Sequence, residues 1–203
     1  MRGSPETVDL WSPARGRAKL EGFTEAGECG MSETERIWDL LQRSFEGGEA
    51  WRCPSLRDLL GCVSAEQAAA RPVAGAPTIW ELVLHTTVCE EIARRRLEGE
   101  AVEHLPDEQA WPRPVEPTPA AWLQAKLAFG EARRALRQAV AAFPESRLNE
   151  AVPGREYTYY VLLHGAIDHA LYHAGQMEVL MVAQGIRPAA SPLAVRGFVQ
   201  GRA

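Results

Sequence analysis

The chain has 203 residues, 46% of them hydrophobic and 24% charged, with a net charge of −5 and an isoelectric point near 5.6. That length buries a core without disulfide staples, and no apolar run reaches the ~18 residues of a membrane span. Its basic side is almost all arginine, with lysine only at Lys19 and Lys126; this acidic balance excludes a generic phosphate-binding surface, so no nucleic-acid partner is expected.

Residues 1–30 are rich in Gly, Arg and Glu and show no sustained apolar period, so they read as a flexible N-terminal extension. Met31 opens a Ser-Glu-Thr-Glu stretch that suits a helix start. Two readings of that boundary stay open: translation from Met31 with an upstream extension, or a genuine extra arm. Helix one is predicted over Ser32 to Glu46, with Ile37, Leu40, Leu41 and Phe45 at helical spacing and Gly47-Gly48 as its stop. A compact stretch from Trp51 to Val63 holds one or two turns through Leu56, Leu59 and Leu60, opened by Pro54-Ser55. Ser64 to Gln67 is a capped turn, and Pro72 to Pro77 a linker.

Helix two is predicted from Pro77-Thr78 to Gly99. From Gly99 to Pro119 the chain carries five prolines, Pro119 included, which leave no helical period there. This connection is too long for a helical hairpin and reads as a crossover. Helix three spans Pro119 to Phe143, with Trp122, Leu123, Leu127, Leu136 and Val140 on its apolar side. After a loop from Pro144 to Arg155, helix four runs from Tyr157 to Gln184 and ends at Gly185. No strand pattern and no long repeat is present. The expected fold is therefore all-α: a four-helix bundle over residues 31–186 with a long crossover between helices two and three, then a C-terminal tail over 187–203. The cysteines Cys29, Cys53, Cys62 and Cys89 form no C-x-x-C pair, and no apolar leader precedes them. They read as reduced thiols of a cytoplasmic protein.

His169 and His173 lie four residues apart on helix four, about 40° from each other around the axis, so both imidazoles reach one ion. The metalloprotease pattern needs Glu after the first His, and Ala170 stands there. Leu162, Ala166, Gln176 and Leu180 share their face, which directs the pair into the bundle, where buried imidazoles need partners. His85 is the candidate third ligand, on the helix-two face that carries Thr78, Leu82, Cys89 and Ile92. Three neutral imidazoles with an open fourth position suit a catalytic-type zinc or nickel ion. Cys89, one turn from His85, is a lesser candidate as a sulfur ligand. His164 falls about 140° from His169 and reads as a surface or packing residue. His104, in the crossover, is unassigned. Asp168 and Tyr172 flank the ligands but point about 100° away, which suits capping or packing. Neither a general acid nor a base is identifiable.

Three stretches carry a family resemblance. They are Thr78-Ile-Trp-Glu-Leu-Val-Leu-His85, the run from Leu162 through His169 and His173 to Gln176, and the weaker Ala50-Trp-Arg-Cys-Pro-Ser-Leu56. From Ser32 to Gly185 the chain resembles the DinB-like proteins, a group that includes bacillithiol-, mycothiol- and glutathione-dependent transferases. The resemblance implies a divalent metal on His85, His169 and His173, a homodimer, and transfer of a small-molecule thiol onto a small electrophile, with hydrolysis as another metal-dependent reaction. Arg155 is a candidate for holding a thiol's carboxylate. The alternatives are a non-catalytic, stress-associated metal-binding bundle and a metal-free interaction bundle. A chain starting at Met31 is expected to melt and to bind metal as the full chain does; a clear drop in melting temperature would assign residues 1–30 to the core.

Overall fold

The computed structural model describes residues 30–46, 55–114 and 116–187. The expectations for residues 1–29 and 188–203, and for residues 47–54 with the Gly47-Gly48 stop, Trp51, Cys53 and Pro54, lie outside the described residues. Among the described residues seven α-helices follow in chain order: α1 Glu33–Glu46, α2 Leu56–Gly61, α3 Ala65–Ala69, α4 Ile79–Leu97, α5 Asp107–Ala110, α6 Pro119–Ala142 and α7 Tyr159–Ala183, with a 3₁₀ turn at Glu145–Arg147. Among the described residues the extended pairing is a single isolated bridge, Ala151 to Thr158. None of these helices is long and apolar enough to cross a membrane.

Local chemistry explains the helix ends. Ser55 with Asp58, Ser64 with Gln67 and Thr78 with Glu81 form reciprocal capping boxes at the starts of α2, α3 and α4. Thr118 and Thr158 cap α6 and α7 by accepting from the backbone N–H groups of Ala121 and Val161. The predicted starts at Pro77-Thr78 and Tyr157 thus fall one or two residues early, because the capping threonines stand outside the helices. At the far ends, Gly99 (φ +94°) and Gly185 (φ +74°) take the left-handed conformation that costs other residues energy. Each closes a pair of backbone bonds onto the last turn: Gly99 to Arg96 and Glu100 to Arg95, Gly185 to Val182 and Ile186 to Met181.

The four long helices α1, α4, α6 and α7 correspond to the four predicted from sequence. α4 packs on α6 and α7, and α1 packs on the same two. Trp80 meets Trp122 (ring centroids 5.1 Å apart) and Glu90 meets Arg133, so α4 and α6 run parallel. Phe45 against Phe129 and Trp38 beneath Arg137 make α1 antiparallel to α6. His85 beside His169, with Arg96 bonded to Tyr157, makes α7 antiparallel to α4. Parallel neighbours cannot be joined by a short turn. The chain must return along all nineteen residues of α4, roughly 28 Å, before α6 can begin. That requirement accounts for the crossover. Within it lies α5, which the sequence does not predict because four residues are too few to show a period.

The apolar side of α6 differs from the prediction. Trp122, Ala125, Phe129, Leu136 and Val140 are buried, whereas Leu123 and Leu127 are about half exposed. The latter two sit outside the 3–4-residue stripe that begins at Trp122. Leu40 of α1 is likewise exposed. Buried apolar residues form two clusters. One gathers Leu56, Leu59, Ile79, Leu82, Phe129 and Met177; the other gathers Ile37, Leu41, Leu136, Val140, Tyr159 and Leu163. On each of α4, α6 and α7, polar residues mark the handover: His85 to Glu90, Arg133 and His169.

Arg133 is 1% exposed and donates to the Glu90 carboxylate and to Ser44 Oγ. Burial still pushes the Glu90 carboxyl up to about 7, against the pull of the guanidinium. Glu90 Oε2 and Arg133 Nε have no hydrogen-bond partner, so desolvation offsets much of the pair's attraction. Arg133→Met should destabilise the fold by about 3–5 kcal/mol, since it strands a buried carboxyl, and Glu90→Leu added to it should recover most of that loss. Urea unfolding of the two variants checks both statements.

Candidate metal centre

The site lies where α4 faces α7. Antiparallel packing sets His85, in the first half of α4, against the middle of α7, and helical spacing puts His169 and His173 on the facing side one turn apart. His169 Nε2 lies 3.1 Å from Nε2 of His85 and 3.0 Å from Nε2 of His173. His85 and His173 are buried and His169 is half-buried. The structure thus brings together the three histidines singled out in the sequence.

The acceptors beside their outer nitrogens set the tautomers of His85 and His173. His85 Nδ1 is 2.7 Å from the Ala110 carbonyl, which only accepts, so Nδ1 carries the proton and Nε2 presents a lone pair. His173 Nδ1 donates in the same way to Gln176 Oε1 at 2.6 Å. Both inner lone pairs then point at His169 Nε2, which has at most one proton to give. Three converging nitrogens with so few protons are a donor set suited to a cation.

Burial lowers the pKa of all three rings. For His169 it falls to about 4, with the positive charges that His173 and His85 would carry adding to the burial effect. For His85 the Ala110 bond, and for His173 the Gln176 bond, work against burial without reversing it. The neutral imidazole is the metal-binding form.

Cys89 joins the cluster. His85, Cys89 and His169 each place one ligand atom within 4.8 Å of the other two, and Cys89 Sγ is 3.7 Å from His85 Nε2. Burial, reinforced by the charge of Glu90, pushes its thiol up to about 11, so it holds its proton at neutral pH.

The connection braces the site from outside. Ala110 closes α5, and the next residue, Trp111, stacks flat on His85 with centroids 3.7 Å apart and planes 3° apart. The only sequence sign of that role was a tryptophan in an otherwise polar, proline-rich stretch. His164 is half-buried and pairs with Glu33 at 3.3 Å, as a surface residue would. His104 is exposed, at the edge of a cavity beside the cluster. Asp168 and Tyr172 lie within α7 and are exposed, so neither caps it, while the Tyr172 ring packs edge to face on His173 with centroids 5.2 Å apart. Arg155, the candidate carboxylate holder, donates to the Val102 carbonyl and does not line the cavity.

That cavity has a volume of about 440 Å³ and is bounded by His85, Cys89 and Ile92 of α4 and by Leu162, Ala166 and His169 of α7. Its size falls in the ordinary range of small-molecule sites.

A family model for the DinB superfamily matches residues 52–177, a span that includes all three histidines. No curated protein and no solved structure matches the chain.

Nitrogen–proton correlation spectra of the metal-free protein test the donor geometry. His85 and His173 should carry their proton on Nδ1; a proton on Nε2 of both rings would contradict the inward lone pairs.

Proposed function

The chain belongs to the DinB superfamily, and on that footing we propose that it is a divalent-metal enzyme in which His85, His169 and His173 hold the ion, zinc or nickel, and a small-molecule thiol is transferred onto a small electrophile. The observation that carries this reading is the convergence of three Nε2 atoms, two of them fixed as lone pairs by the Ala110 and Gln176 acceptors. A cation at that point supplies the means to ionise a thiol or water near neutral pH.

The residues of the chain do the remaining work. Gln176 and the Ala110 carbonyl hold the ligand rings in their tautomers, and Trp111 keeps the His85 ring from turning. The cavity gives the thiol and the electrophile a place beside the cluster. In the transfer, the thiol proton leaves to solvent and sulfur forms a bond to the electrophilic carbon. The leaving group departs with the electron pair of the broken bond.

A purely structural metal site is closed by four protein ligands. With Cys89 outside the ligand set, three imidazoles beside a cavity leave a position open, which favours the enzyme over a non-catalytic metal-binding bundle. Assembly as a homodimer belongs to the same reading and is supported by the family resemblance alone; a cytoplasmic location rests on the reading of the cysteines as reduced thiols.

Zinc titration by calorimetry, followed by an assay of thiols against a chromogenic aryl halide, tests the proposal. His173→Ala should lower zinc affinity by more than the roughly 10–100-fold typical of a lost supporting hydrogen bond, and abolish turnover. The bundle should persist, at a cost of at most about 2–5 kcal/mol for the cavity created. His164→Ala should change neither property. Equal losses from both variants, or none from His173→Ala, would overturn the ligand assignment, and Cys89→Ala decides whether sulfur belongs to the set.

A further inference from the structure

The cavity beside the histidines has a second polar end. His85, Cys89, Ile92 and Arg96 follow one another on α4 at spacings of four, three and four, and all four line it. They form one stripe of the helix. The Arg96 backbone therefore stands about 16 Å along the axis from His85, and its guanidinium lies against Tyr157 and the Val102 carbonyl. Between the two ends the walls are apolar or small: Ile92, Ala93, Leu162, Gly165 and Ala166. An added Cβ at Gly165 would meet nothing within 4 Å.

Arg96 is half-buried and short of counter-charge. Its Nη1 donates to Tyr157 Oη at 2.8 Å and its Nη2 to the Val102 carbonyl at 3.0 Å, both neutral oxygens. Its Nε is buried without a hydrogen-bond partner. Among the described residues no carboxylate lies within ion-pair distance of it, and the charge of Arg155 acts on it with like sign. The carboxylates near the cavity are committed or peripheral: Glu90 is paired to Arg133, and Glu103 and Asp107 are exposed at its edge. A guanidinium in such surroundings gains from an anion that can approach through the cavity.

We propose that the cavity binds a small organic carboxylate, its anionic head on Arg96 beside Tyr157 and its apolar body along Ile92, Leu162 and Ala166, so that its far end reaches the histidine cluster. This deepens the thiol-transfer reading by naming the class of molecule the site takes: one with a carboxylate at one end and its reacting group several bonds away. It rests on that reading only for what reacts at the histidine end.

Calorimetric titration of metal-free protein with hexanoate, and with hexanol as its uncharged twin, tests the assignment. The wild-type chain should bind hexanoate at least about tenfold more tightly than hexanol, the scale of a charge-assisted contact. Arg96→Met should erase that preference and Arg96→Lys should keep part of it. His164→Ala, which lies outside the cavity, should leave both zinc binding and the preference intact. Hexanoate should also protect Arg96 from phenylglyoxal, read by peptide mass, which locates the head group without any substitution. Equal affinity for acid and alcohol, a preference that survives Arg96→Met in a folded variant, or no protection would overturn the proposal. Loss of the expected zinc behaviour with the carboxylate preference retained would instead sink the metal reading alone.

Discussion

His85 donates its Nδ1 proton to the carbonyl of Ala110, and through that bond the crossover becomes part of the site. Parallel packing of α4 on α6 forces the chain to travel back along the bundle before α6 can start. On the way it lays α5 and Trp111 over the α4–α7 groove, where the Ala110 carbonyl and the Trp111 ring meet His85 from outside. The imidazole is then fixed in tautomer and in plane, and its inner nitrogen faces His169. A two-residue hairpin between antiparallel helices would offer neither partner. The topology of the bundle and the chemistry of its centre are thus one constraint.

Polar residues at the middle of a helical bundle carry a desolvation cost, and this chain concentrates that cost in one band. Glu90 and Arg133 sit on the α6 side of α4, and the histidines on its α7 side. The apolar clusters above and below hold the helices together; each fully buried Leu or Ile contributes about 1.5–3 kcal/mol. The band between them adds little net stability. What it adds is register, because sliding any long helix by one turn would place a charge or an imidazole against an apolar neighbour.

The cavity follows from residue size at the same interface. Ala93, Gly165 and Ala166 stand where α4 and α7 would otherwise fill the groove with side chains. The space so left runs from the histidine cluster to Arg96. One end can hold a cation and the other presents one, with an apolar channel between, so a ligand that satisfies both ends must be long enough and differ in chemistry from end to end.

Much of this was legible in the sequence, and the division is physical. Caps and helix stops are local: Thr78, Thr118 and Thr158 bond within three residues, and Gly99 and Gly185 act through their own backbone angles. The four long helices were therefore readable to within a residue or two. The His169–His173 pair was equally readable, because a spacing of four on a helix is a geometric statement by itself. The length and proline content of the crossover excluded a hairpin. Other features depended on which helix packs against which, and no local pattern encodes that. Leu123 and Leu127 share the hydrophobicity of Trp122 but not its neighbours. Arg155 and Arg96 are alike as sequence, yet only Arg96 stands on the stripe facing α7. Ala110 and Trp111 acquire their role only once the crossover lies on α4. Local chemistry in the sequence set the helices and the pair of histidines on one of them; long-range packing decided the partners of His85, the cavity and the guanidinium at its far end.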